Sequence, residues 1–263
     1  MIFFYPQCIQ SDTLLTNKQS KKMKARNLVV AGITALGVLT SCDKDLVTYK
    51  EDDIKVLVTK GDEWLHDFPL FLGIEKKNPP QIAIWVEDLA GNYLTTIYAS
   101  HKIATESWQS NGGNRRKESL PVWCYARGVL YPDGLYLPTK AEPLVDGISG
   151  ATPHGSFDVK IRSVGDLKQF IVKVELNHST DWNDNYPKNA KEGDINYTGG
   201  KEGSGQPAVV YSAEIDLDSN RKQYTATLIG HSSPDGSNGD IYSDTSSLTS
   251  ALNIVKEITI NIQ

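Results

Sequence analysis

From Ile54 onward the apolar residues of this chain recur with period two rather than 3.6, and that alternation limits it to a sheet protein. Ile54-Lys55-Val56-Leu57-Val58-Thr59 is the first strand expected. Residues 81–87 and 93–98 flank Asp88-Leu89-Ala90-Gly91-Asn92, a hairpin signal in which Gly and Asn supply the turn conformations. Two more hairpins are expected, 156–162 with 169–176 and 208–217 with 223–229, and 258–262 is expected as the last strand. β-Branched and aromatic residues fill these runs. Helical signals are confined to 105–110 and 247–255.

Short strands separated by turns predict an all-β fold over residues 54–263, an immunoglobulin-like β-sandwich. Two long irregular stretches interrupt it, 110–156 and 177–207, and loops of that length inside a domain are commonly functional.

The N-terminal part reads differently. Met23-Lys24-Ala25-Arg26 is a basic start, an apolar run follows from Leu28 to Leu39, and small residues precede Cys42. These are the parts of a helical secretory signal, and the run is short of the about 20 apolar residues a spanning helix needs. Leu39-Thr40-Ser41-Cys42 resembles the lipobox of bacterial lipoproteins. That resemblance implies acylation of the Cys42 thiol and a mature chain that begins there. Residues 1–41 are then a signal region, with translation expected from Met23, and 42–53 an acidic tether. An acidic stretch after the lipid cysteine also resembles the export signals of some Gram-negative surface lipoproteins. The expected location is the envelope of a Gram-negative bacterium, lipid-anchored and facing the periplasm or the outside.

The formal charge of the chain is −5, and its first 41 residues hold five Lys or Arg against one Asp. The part from Cys42 on is therefore more acidic still, which disfavours nucleic acid and anionic headgroups as partners. With Cys42 acylated, Cys124 has no partner for an intramolecular disulfide, and its setting in Pro121-Val122-Trp123-Cys124-Tyr125 predicts a buried, inert thiol.

Asp146-Gly147-Ile148-Ser149-Gly150-Ala151-Thr152 resembles the acceptor sequence of periplasmic flavin transferases, the motif also found in flavin subunits of sodium-pumping quinone reductases. The resemblance implies FMN esterified through its phosphate to Thr152, with Asp146 helping the transferase engage or orient the threonine. Ser149, Gly150 and Ala151 complete the pattern, the last two as small neighbours that give the transferase clearance. The sequence departs from the pattern after the acceptor, where Pro153-His154-Gly155 stands in place of further Ser or Thr. A tight Gly-rich turn capped by Asp146 and Ser149 is the alternative.

The chain from Ile54 to Gln263 also resembles an uncharacterised family of predicted periplasmic proteins, domain of unknown function 2271. The likeness rests on Ile84-Trp85-Val86-Glu87, Leu120-Pro121-Val122-Trp123, the stretch from Asp146 to Pro153, Asp181-Trp182-Asn183-Asp184, Gly205-Gln206-Pro207, Gly230-His231 and the stretch from Leu248 to Val255. It implies an envelope location and a link to flavin-based electron transfer, not a defined reaction.

Other signals are weaker. Asp181-Trp182-Asn183-Asp184 and Asp235-Gly236-Ser237-Asn238-Gly239-Asp240 are oxygen-rich as Ca²⁺ loops are, but lack EF-hand spacing, and His154, His178 and His231 lack Zn²⁺ spacing. Trp85 and Trp123 are expected in the core, while Trp108 and Trp182 lie in polar loops. No hydrolase elbow, Walker loop or dinucleotide fingerprint appears. Three functions follow: an FMN-bearing electron-transfer lipoprotein with a flavin transferase and a redox partner; a surface or periplasmic binding module for glycan or protein; and a cofactor-free structural lipoprotein.

Overall fold

The computed structural model describes residues 54–69, 75–108, 115–161 and 167–263. The chain divides after Leu46, and every described residue belongs to the second unit, Val47–Gln263. The signal region, Cys42 and the acidic tether lie outside the described residues. With 38% of residues in strands and 10% in helices, the fold is mostly β-sheet.

The first strand, β1 (Ile54–Lys60), alternates as its sequence requires, with Ile54, Val56 and Val58 buried. It pairs antiparallel with β12 (Val255–Ile262) on one side and β7 (Phe157–Ile161) on the other. β10 (Gln223–Thr225) completes a four-stranded sheet in the order β10-β12-β1-β7. A six-stranded sheet runs β11-β9-β8-β4-β5-β6, from Thr227–His231, Val209–Asp216, Gln169–Asn177, Gln81–Glu87, Tyr93–Ser100 and Ile148–Gly150 in that order. All its pairs are antiparallel except β5 with β6. β2 (His66–Pro69) and β3 (Glu75–Asn78) form a separate ribbon.

Residues from both large sheets share one apolar cluster, which includes Val56, Ile84, Val174 and Ile258. Each such fully buried side chain contributes about 1.5–3 kcal/mol. The six-stranded sheet is covered on its other face too. Every residue of β4 is buried, with Ile82, Ile84 and Val86 toward the shared cluster and Ala83 and Trp85 in a second cluster with Ile103, Leu120 and Trp123. A strand covered on both faces reads as a nearly continuous apolar run, as Ile82-Ala83-Ile84-Trp85-Val86 does. Trp85 and Trp123 are core residues, as expected, but of this second layer.

Several local expectations are corrected. The 156–162 and 169–176 segments do not pair: β7 joins β1 in one sheet and β8 joins β4 and β9 in the other. Of the 223–229 segment only the part in β11 pairs with β9, whose other neighbour is β8, because β10 crosses to β12 before β11 returns. The crossing is fixed by Tyr224, which is buried and whose hydroxyl donates to the Asp216 carbonyl at 2.6 Å. Helix α1 (His101–Thr105) ends where the 105–110 helix was expected to begin, since Glu106 takes the left-handed conformation with φ 51°. The 247–255 segment holds a 3₁₀ turn, Ser250–Asn253. An unanticipated helix, α2 (Pro121–Arg127), opens inside the first long loop, with Pro121 in its first turn.

Candidate functional site

The acceptor-like segment is laid along one edge of the six-stranded sheet. Beyond α1, Glu106 Oε2 accepts the Lys140 N–H at 2.9 Å, and the Leu144 N–H donates to the Ala104 carbonyl at 2.8 Å. These bonds return the long loop to α1, and the chain then runs parallel to β5 as β6, with Gly150 opposite Ser100. Asp146 ties the strand down. The Tyr93 hydroxyl donates to its Oδ2 at 2.5 Å, and the Arg127 guanidinium lies 3.4 Å from its Oδ1. Behind Tyr93, Thr96 Oγ1 lies at 2.6 Å and accepts the Trp123 indole N–H at 3.0 Å. Burial, with the Asp146 carboxylate adding to it, pushes the Tyr93 phenol well above its ordinary range.

The two glycines of the segment are there for different reasons. A Cβ on Gly147 would stand 2.7 Å from Thr96 Cγ2, so the packing against β5 demands glycine. A Cβ on Gly150 would meet only the Tyr98 ring edge at 3.6 Å, an ordinary contact. The fold does not need glycine at 150.

Attachment by a transferase calls for a reachable Thr152 hydroxyl. Thr152 is instead 9% exposed, and its hydroxyl shares a 2.7 Å hydrogen bond with Ser100 Oγ. Ser100 Oγ also accepts the Ile82 N–H at 2.8 Å, which fixes the pair to β4. On the far side the Trp64 indole N–H donates to the Pro153 carbonyl at 3.0 Å, and Ser156 Oγ accepts the Lys60 N–H at 3.0 Å. The turn is thus pinned at both ends as it crosses from β6 to β7, while its Ser149, Ala151 and His154 remain exposed. Asp146 binds Tyr93 and Arg127 within the fold.

Beside this turn lies a cavity of about 340 Å³. Thr152 and Ser100 line it together with Lys76 of β3, His101 and Lys102 of α1, and His154. Lys76 and Lys102 form no ion pair with any described carboxylate. Lys102 is half-buried, and burial, then the neighbouring Lys76 and Arg116 cations, lower its pKa. Its ammonium stands 5.8 Å from the Trp108 ring centroid, with the Arg116 guanidinium at 4.7 Å from the same ring. Gln81 also borders the cavity; it is 6% exposed, and its buried side-chain oxygen accepts no hydrogen bond.

The other candidates are structural. Asp181 Oδ1 accepts from Ser250 Oγ at 2.6 Å, a tie to the 250–253 turn, and Asp235 Oδ1 accepts the Ser237 N–H at 3.0 Å within its own turn. Among the described residues no group of three or more His, Cys, Asp or Glu is placed to hold a metal ion. His178 and His231 bond the carbonyls of Glu63 and Ser232 at 2.8 and 2.7 Å. Cys124 is buried and free, and burial pushes its thiol up. Trp182 is half-buried, with Lys188 at 4.9 Å from its ring centroid.

The chain matches no family model, no curated protein and no solved structure. The motif at 146–152 was legible in the sequence, whereas Ser100, Lys76, Lys102 and Gln81 carried no signal there. Ser100 and Thr152 meet across 52 residues of chain, a juxtaposition that only the β5–β6 pairing creates.

Proposed function

We propose that this protein is an envelope lipoprotein, anchored through Cys42, that carries FMN esterified to Thr152 for extracytoplasmic electron transfer. The observation that carries the reading is the position of Thr152: its side chain borders a cavity whose unpaired lysines suit a phosphate. In the attachment step the Thr152 oxygen bonds to the flavin-side phosphorus of FAD and AMP leaves. The hydroxyl proton passes to a base of the transferase. Once attached, flavin supplies one- and two-electron transfer, while the protein supplies placement and electrostatics. Lys76 and Lys102 would hold the phosphodiester, and Gln81 offers a buried acceptor to an N–H of the ring. Gly150 supports the same reading, because packing alone does not call for glycine there. The fold itself we read as immunoglobulin-like, supported by two mostly antiparallel sheets around one cluster. Among the described residues no helix is long and apolar enough to cross a membrane, which is compatible with a lipid anchor.

A second reading is favoured by the 9% exposure of Thr152 and its bond to Ser100. In it the protein is a binding module, and Thr152 is a wall of its cavity. Co-expression with a flavin transferase separates the two. The flavin reading expects a yellow protein whose fluorescence survives denaturing electrophoresis and is lost in Thr152→Ala. A colourless product from cells with an active transferase would leave the binding module standing.

A further inference from the structure

We infer that the cavity beside Thr152 is a phosphate-ester site in its own right, which binds a free small molecule reversibly through Lys76 and Lys102 before any covalent link exists. The inference rests on the flavin reading for the identity of the ester, and on the cavity alone for the site. Three observations carry it.

The first is charge without compensation. Lys76 and Lys102 face one cavity and neither pairs with a described carboxylate, although the chain is acidic as a whole at −5. Lys76 is exposed and Lys102 half-buried on the wall of the same cavity, and an anion bound there would offset their mutual repulsion. The net charge repels anions from the surface at large, so an anion that binds does so because of local cations. The second is Gln81. Gln81 lines the cavity, and its side-chain oxygen is buried without a hydrogen-bond partner, which is rare in a finished core; a turn of the side chain would present it to a ligand N–H. The third is size. At about 340 Å³ the space falls at the small end of small-molecule sites. These features select a ligand with a phosphate ester at one end and an N–H donor elsewhere. FMN has both, riboflavin lacks the phosphate, and inorganic phosphate lacks the ring.

The test uses the full-length protein in detergent, purified from cells without a flavin transferase. FMN and riboflavin are titrated by quenching of flavin fluorescence, and inorganic phosphate is added as a competitor. The site predicts saturable FMN binding, riboflavin weaker by about tenfold or more, and displacement of FMN by phosphate. The double variant Lys76→Gln, Lys102→Gln should weaken FMN by at least about tenfold with its unfolding temperature little changed, since neither lysine anchors the fold. Affinity of the unaltered protein should also fall as salt rises. Riboflavin bound as tightly as FMN, a double variant that binds like wild type, or no FMN binding at all would each overturn the site. The flavin reading fails separately. Covalent loading without reversible binding removes this inference and keeps that reading, and reversible binding without covalent loading does the reverse.

Discussion

At the scale of single residues, the 146–152 segment separates positions that the fold requires from positions it leaves free. Gly147 is required, because any Cβ there enters the space of Thr96. Gly147→Ala should therefore cost about 1–3 kcal/mol, the usual result of overpacking a tight contact. Gly150→Ala should stay within about 0.5 kcal/mol of wild type, since the added methyl meets only ordinary contact with Tyr98. Urea denaturation of the two variants checks the contrast, and equal losses would mean that β6 is not seated on β5 as described. The sequence pattern singled out Gly150 as a small neighbour of Thr152 and left Gly147 at a loose position. What makes Gly147 the required one is Thr96, a residue 51 positions upstream, so no local reading could have shown it.

At the scale of elements, the unanticipated helix α2 is held by a buried carboxyl group. Pro121-Val122-Trp123-Cys124-Tyr125 is rich in β-branched and aromatic residues, and reads as strand or loop until its packing is known. Glu175 of β8 decides the matter: it is fully buried, and its oxygens accept the N–H groups of Val122 and Trp123 at 3.2 and 2.8 Å. Those N–H groups are among the orphan donors of a helix start. Burial pushes Glu175 from its ordinary 4.5 up to about 8, against the lowering effect of the two bonds. The folded state therefore keeps a proton that the unfolded chain gives up. This group's contribution to stability is full below about pH 4.5, falls as pH rises through that window, and levels off above about 8. Glu175→Gln removes the slope and loses one acceptor, a pH-independent offset of about 1 kcal/mol. Denaturation curves between those pH values should show wild type losing stability relative to the variant as pH rises; parallel curves would contradict the account. The strands were legible because alternation and turns are local. Their partners were not, since β7 and β10 read as hairpin arms yet pair in the opposite sheet.

At the scale of the whole molecule, the two sheets, the outer layer and the pinned turn bring one hydroxyl to the wall of one cavity. Most of the β-rich character followed from period two, and the 146–152 segment stood out by its residues. The cavity did not, because it is assembled from β3, β4, β5, α1 and the 150–154 turn, which are distant in sequence. Cys42, the proposed anchor, lies outside the described residues, and its prediction is separate. Cys42→Ser should leave the membrane fraction or remain unprocessed, and a processed variant that still fractionates with membranes would remove the lipid. The central claim, flavin on Thr152, is tested most directly by the intact mass of the mature protein from its native host. The account predicts a chain that begins at Cys42, carries the lipid, and bears the added mass of one esterified FMN that disappears in Thr152→Ala. A mature chain with its lipid and no further mass, from cells that contain an active flavin transferase, would contradict it.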